Sequence, residues 1–226
     1  MRSGGQATVG VRCPSHLLAQ EMLREFARIG SGGVAAPSAN RFGHVSPTTA
    51  QHVRDEFGSD IDVLDGGPCE VGLESTIVDL SRGAPVMLRP GAITRRDIED
   101  VLGIAPAERD AAAPRASGTL AAHYAPRTAL ALVSSSVLAA EVAKAPEAAI
   151  LALGAKPRGV RVAAWIAAPA DPTHYGHDLY ANLRALDAIG AKRILVEAPP
   201  ALPPWEAVND RLRRAAAGAA AMTDEP

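Results

Sequence analysis

Apolar and polar positions along this 226-residue chain change rhythm near its middle. In the first hundred residues, short apolar runs alternate with polar, Gly-containing loops. "ATVGVR" at 7–12 reads as a buried strand. In "HLLAQEMLREFARIG", Leu17, Leu18, Met22 and Phe26 fall near helical spacing, with Ser15 as the N-cap and Gly30 as the stop. "VAAP" predicts a short strand feeding a polar loop. Ser46, Pro47 and Gly58 then frame a helix over roughly 47–57 as cap, first turn and stop. "IDVLD", "STIVDL" and "PVMLRPG" predict three strands, the last two joined by the turn "SRGA". Thr94 followed by Asp97 is a capping signal for a helix ending at Gly103.

Residues 104–119, "IAPAERDAAAPRASGT", lack any period and mark a domain boundary. Beyond them "ALALV", "AAILAL", "VRVAAWIA" and "RILVEAP" predict strands. "VLAAEVAKA", "DLYANLRALDAIG" and "WEAVNDRLRRAAAG" predict helices. Such alternation implies βαβ units and a parallel sheet covered by helices. The fold class expected is therefore α/β, in two parts.

Composition narrows the function. Apolar residues are 47% of the chain but aromatic residues only 4%, so the core must be aliphatic. A net charge of −2 argues against bulk attraction to nucleic acid or membranes. Cys13 and Cys69 are far apart and read as two unrelated buried thiols rather than a disulfide or a zinc site. No apolar run reaches the roughly 18 residues of a membrane span, and no signal pattern opens the chain, so the expected location is the cytoplasm.

No P-loop, dinucleotide fingerprint or H-E-x-x-H sequence occurs. "PSANRFGHVSP" is either a capped turn or a cradle for a phosphate: Ser38 and Asn40 can donate without charge, and Ser46 stands where a helix N-terminus offers free N–H groups. "DGGPCEVGLEST" is either a wide turn or a Gly-rich loop that a ligand approaches closely. Arg89 in "LRPG" suits phosphate or carboxylate through its planar fork, or is a surface arginine before a turn. "HYAP" at 123–126 follows the linker and either enters a site or anchors the second domain. His174-x-x-His177-Asp178 reads as a polar loop, and Arg211, Arg213 and Arg214 as a solvated helix face.

"APSANRFGHVSPTTAQHV", "DGGPCEVGLESTIVDL", "MLRPGAIT" and "HYAP" stand in an order that resembles the threonylcarbamoyl-AMP synthases, the YrdC-like family. The later "DLYANLRALDAIGAKRILVEAPP" and "WEAVNDRLRRAA" resemble the C-terminal domain of that family's two-domain members. The resemblance implies a partial YrdC-like twisted-sheet domain at 1–103, a linker carrying HYAP at 104–127, and a Rossmann-like domain at 128–226. It implies a nucleotidyl transfer in which L-threonine, bicarbonate and ATP give threonylcarbamoyl-AMP and pyrophosphate, with Mg²⁺ sharing the phosphate charge. The product would pass to proteins that transfer the threonylcarbamoyl group to tRNA. By resemblance, Thr8, Ser38, Ser46, Arg89 and His123 match ATP contacts. Arg12, Ala36 through its backbone, and Ser75 match threonine contacts, with Asn40 and Tyr124 as additional candidates.

One departure stands out. Family members carry a Pro-Thr-x-Thr-x-Tyr-Gly-Leu-like segment and a Lys-x-Arg pair ahead of the "TVGVR" strand, and this sequence has neither. The resemblance thus leads us to expect an N-terminally incomplete synthase with an open sheet edge and little or no product. Two rival readings remain. One is a non-catalytic nucleotide- or RNA-binding YrdC-like module, with direct RNA binding weak for want of basic tracks and aromatics. The other is a remnant in which only the C-terminal domain folds.

Overall fold

A computed structural model describes residues 5–223 and the side chains of 5–220. In its first half, α1 (Leu17–Ile29) forms as the periodicity predicts and stops at Gly30, whose N–H bonds Phe26 O. Its N-cap is His16, not Ser15, and no residue of the helix is buried. α2 (Ala50–Phe57) starts later than expected, because Thr49 caps it by accepting from the His52 N–H. Ser46 does not cap; its hydroxyl is committed elsewhere. β1 (Ile77–Asp79) and β2 (Val86–Arg89) pair antiparallel, as expected. α3 (Arg95–Leu102) has both bonds of the Thr94–Asp97 capping box, and Gly103 ends it at φ 70°.

Three predicted strands do not form. Residues 7–12, "VAAP" and "IDVLD" are extended or irregular backbone. A strand needs a ladder partner, and none of the described residues supplies one to 7–12. Val9 and Val11 are therefore 61% and 85% exposed instead of buried. That stretch is tied through its side chains: Gln6 donates to Arg115 O and accepts from Arg115 N–H. The linker is in turn less structureless than its sequence suggests. Ala107 exchanges backbone bonds with the edge of β2, receiving from Met87 N–H and donating to Pro85 O. Cys13 and Cys69 are exposed, since both lie on loops that face no core.

The second half is a parallel sheet. It comprises β3 (Leu130–Val133), α4 (Ser135–Lys144), β4 (Ala149–Ala152), β5 (Ala164–Ala167), α5 (Pro172–Ala188), β6 (Ile194–Glu197) and, after one 3₁₀ turn, α6 (Glu206–Thr223). The strand order is β3-β6-β4-β5, all parallel. Successive residues of a strand point to opposite faces. Accordingly, Ala149 and Leu151 pack with Leu179, Leu183 and Leu212 of α5 and α6. Ile150 and Ala152 pack with Val142 of α4. Burial on both sides explains why β4 is an unbroken apolar run. One helix covers one face and two cover the other.

α5 begins before the predicted "DLYANL", because Asp171 caps it and Pro172 opens it. His174 and His177 therefore lie on a helix and not in a loop. His174 pairs with Asp171 and His177 with Asp178, and no group of three candidate metal ligands occurs among the described residues. Nor is any described helix long and apolar enough to cross a membrane.

Leu183 is fully buried at the centre of the larger core. Leu183→Ala should cost about 3 kcal/mol through lost burial and the cavity left behind, read as a lower midpoint in chemical denaturation.

Candidate functional site

The site grows from a carboxylate with no motif spacing to single it out. Glu74, just before β1, accepts from three side chains: Ser46 Oγ at 2.6 Å, Tyr180 Oη at 2.8 Å and Arg211 Nε at 2.8 Å. Ser46 belongs to the polar loop, Tyr180 to α5 and Arg211 to α6. Arg211 was expected on a solvated face, yet its side chain is fully buried. It also donates to Asp210 at 2.7 Å and to Pro90 O at 3.0 Å, and its guanidinium lies 5.4 Å from the Tyr124 ring centre. A buried cation requires such partners. Burial pushes the Glu74 carboxyl up, but Arg211 and the bonds from Ser46, Arg211 and Tyr180 outweigh it and hold it below the usual value. Tyr180, buried and beside Glu74, is held well above the usual phenol range.

Arg89, at the end of β2, is 3% exposed, which excludes the surface-arginine reading. Its guanidinium donates to Ser75 O through Nε (3.1 Å) and Nη2 (2.9 Å), and to Ser117 O (2.9 Å). The Ser75 hydroxyl lies 3.4 Å from the same Nη2. Arg89 thereby joins the Gly-rich loop to the linker.

The linker then delivers HYAP. Ala125 N–H bonds Gly43 O, and His123 N–H bonds Arg214 O, so the segment is held by both halves of the chain. Tyr124 is buried at φ 63°, a left-handed conformation that strains a bulky residue. Its ring lies 5.5 Å from that of Tyr180, and its hydroxyl donates to Gly118 O at 3.4 Å. The His123 ring contacts Tyr124 at 4.2 Å and Phe42 of the polar loop at 6.0 Å. Its Nδ1 is buried without a hydrogen-bond partner. Burial lowers the His123 pKa; Glu74 opposes this, while Arg214, Arg89 and Arg211 reinforce it. The imidazole is thus neutral at pH 7.

Of the residues expected from sequence, Ser46, Ser75, Arg89, His123 and Tyr124 gather around Glu74 and Arg211. Ser38 donates to Asn40 Oδ1, and Asn40 Nδ2 donates to Arg41 O and His44 O, which braces the loop feeding Ser46. Arg12 and Ala36 form a separate pair, Arg12 donating to Ala36 O at 3.4 Å. Thr8 lies partly exposed in the extended stretch. Sequence reasoning passed over Glu74, Tyr180, Arg184 and Arg211. Arg184 donates to Val45 O at 2.5 Å and pairs with Glu56 at 3.3 Å. A signal for Arg211 existed: with Val208, Leu212, Ala215 and Ala219 it falls on one helical stripe, and those four are buried.

The family model described as "Threonylcarbamoyl-AMP synthase, C-terminal domain" matches residues 93–217, more than half of the chain. The chain belongs to the threonylcarbamoyl-AMP synthase family. A second model, described as "Telomere recombination", matches residues 2–91. The threonylcarbamoyl-AMP synthase of Pyrococcus abyssi is 34% identical over 227 residues, covering 94% of this chain and 65% of the archaeal one. That of Bacillus subtilis is 39% identical over 140 residues, 59% of this chain and 39% of the relative. The crystal structure of P. abyssi Sua5 complexed with L-threonine superposes with a TM-score of 0.81 at 29% identity, covering 96% of this chain and 66% of that one. A P. abyssi Sua5 variant with an adjacent His and Tyr both replaced by Ala gives 0.77 at 28% identity, covering 96% and 65%. The chain thus spans about two thirds of the length of its archaeal relative. Both the YrdC domain and the parallel-sheet C-terminal domain of the two-domain synthases are represented, as expected from the motifs.

Removing one partner of the buried pair should be costly. Arg211→Met leaves Glu74 without its cation and should destabilise the protein by about 3–5 kcal/mol in denaturant melts. The pH sign follows from the lowered Glu74 pKa. Its stabilisation is present above the unfolded value near 4.5 and is lost as pH falls through the lower folded value. Glu74→Gln should therefore lower stability at neutral pH and flatten its decline below pH 4.5, measured as the denaturation midpoint against pH.

Proposed function

We propose that this chain works in the synthesis of threonylcarbamoyl-AMP. A carboxylate oxygen of the carbamate, formed from L-threonine and bicarbonate, attacks the α-phosphorus of ATP. The bond from that phosphorus to the β-phosphate bridging oxygen breaks, and pyrophosphate leaves. The product then serves adenosine modification in tRNA through transfer proteins. What supports this reading is that family resemblance covers both halves of the chain while the same residues converge in space.

In this reading residues 1–103 hold nucleotide and threonine, 104–127 form the linker, and 128–226 brace the site. ATP lies against Thr8, Ser38, Ser46, Arg89 and His123, with Asn40 and Tyr124 as supporting contacts. Threonine lies against Arg12, the Ala36 backbone and Ser75. The Arg12 side chain already reaches the Ala36 carbonyl, which places a carboxylate-binding guanidinium beside that backbone. Arg89 carries positive charge to where the phosphates would gather, and its grip on Ser75 couples the nucleotide and amino-acid subsites. Neutral His123 can donate to a phosphate oxygen from the linker side, with its ring set edge-on to Phe42 of the polar loop. Catalysis is chiefly positioning plus electrostatics. Mg²⁺ would arrive on the triphosphate, as this ion usually does.

The assignment is tested by binding and turnover together. The chain is expected to bind ATP, with His123→Ala and Arg89→Lys each weakening it about tenfold or more while L-threonine binding is kept. Arg12→Ala is expected to do the reverse. Any pyrophosphate released should depend on both threonine and bicarbonate. ATP affinity unchanged in both variants, or pyrophosphate release indifferent to threonine, would overturn the reading.

A further inference from the structure

The C-terminal domain carries a cavity on the sheet face away from the Glu74–Arg211 contact. α5 and α6, which bear Tyr180 and Arg211, pack on one face; α4 packs alone on the other. β4 and β5 are joined by residues 153–163 without a helix. The face where a doubly wound domain would seat another helix is left to that loop. Between the loop and α4 lies a cleft of about 490 Å³. Leu138 and Val142 of α4 form one wall, Val160 the other, and Trp165 of β5 also lines it. The indole is fixed in place, since its N–H donates to Gly154 O at 2.9 Å.

The chemistry of this cleft is one-sided. Among the described residues, its polar lining side chains besides Trp165 are Ser135 and Arg161, each able to donate, and no carboxylate lines it. Lys156, Arg158 and Arg161 stand on the same loop, and none has an ion-pair partner among the described residues. The acids nearest in sequence on α4 and just beyond it are already matched, Glu141 with Lys144 and Glu147 with Lys192. A volume of this size suits a small molecule, and apolar walls with a few donors favour a flat apolar body with a negative group. Uncompensated cations at the rim would draw such an anion in and exclude a cation.

The geometry points to a second binding site, distinct from the proposed synthase site, for a small organic anion with a flat apolar body. The body lies on Trp165 between α4 and the loop, and the anionic group pairs with Arg161. Nucleotides and aromatic carboxylates share this chemistry. The inference does not depend on the function proposed for the other domain.

Only two tryptophans occur, and Trp205 is buried in the opposite core, so Trp165 reports on the cleft. The probe is 8-anilinonaphthalene-1-sulfonate added to the full chain, read by its own emission and by indole quenching. It should bind saturably with a stoichiometry near one. Arg161→Glu should weaken it about tenfold or more, and Ala139→Phe, which fills the cleft from α4, should abolish it, both with unchanged far-ultraviolet dichroism. Arg89→Lys should leave it intact, which separates this site from the proposed ATP site. Competition by AMP identifies a nucleotide as the occupant, and competition by indole-3-acetate alone identifies an aromatic carboxylate. No saturable binding, or binding unaffected by both cleft variants, overturns the proposal.

Discussion

The Glu74–Arg211 ion pair is the contact on which the arrangement of the two halves depends. It joins the loop before β1 to the middle of α6 and recruits the hydroxyls of Ser46 and Tyr180. Arg211 has no exposure to water, so it is tolerable only while its acceptors stay in place. The consequence is mutual. The polar loop is held where it is because the C-terminal domain carries Tyr180 and Arg211, and Arg211 is soluble in the core because that loop returns Glu74.

This makes the C-terminal domain more than an appendage. Arg184 reaches the Val45 carbonyl and Glu56, Arg214 supplies the carbonyl that receives His123 N–H, and Arg95 pairs with Glu206. Cations from α3, α5 and α6 thus stitch the halves together through backbone carbonyls and acids, beside an apolar contact in which Val45 and Leu73 join the core of α5 and α6. Such contacts are directional. They fix the orientation of the polar loop and of HYAP more sharply than an equal area of aliphatic packing would.

The sequence was most legible where local physics acts alone. The Thr94–Asp97 capping box and the Gly30 and Gly103 stops are set by neighbours in the chain, and all appear. The strands of the parallel sheet appear too, because their apolar runs find partners in one another. It misled where an element needs a distant partner. "ATVGVR" has the composition of a strand, but its backbone finds no ladder among the described residues. Ser46 has the position of a cap, but Glu74, far along the chain, takes its hydroxyl and Thr49 caps in its place. Ser46, Ser75, Arg89 and HYAP, which come from separate motifs, meet around Glu74 in the structure. Arg211 was hidden by its neighbours: three arginines within four positions look like a wet face, although α6 turns the first into the core and leaves Arg213 in solvent.

Gly118 gives the linker an uneven tolerance for change. Its φ of 68° favours glycine, and a side-chain carbon there would collide with the Tyr124 hydroxyl and crowd the Arg89 guanidinium. Two residues at the heart of the site therefore lean on an atom that is not there. Much of the surrounding Ala- and Pro-rich stretch can drift in composition at little cost, because its side chains face water. At this one position, drift would displace an arginine and a tyrosine together, so a segment that looks like filler contains a point as constrained as the core.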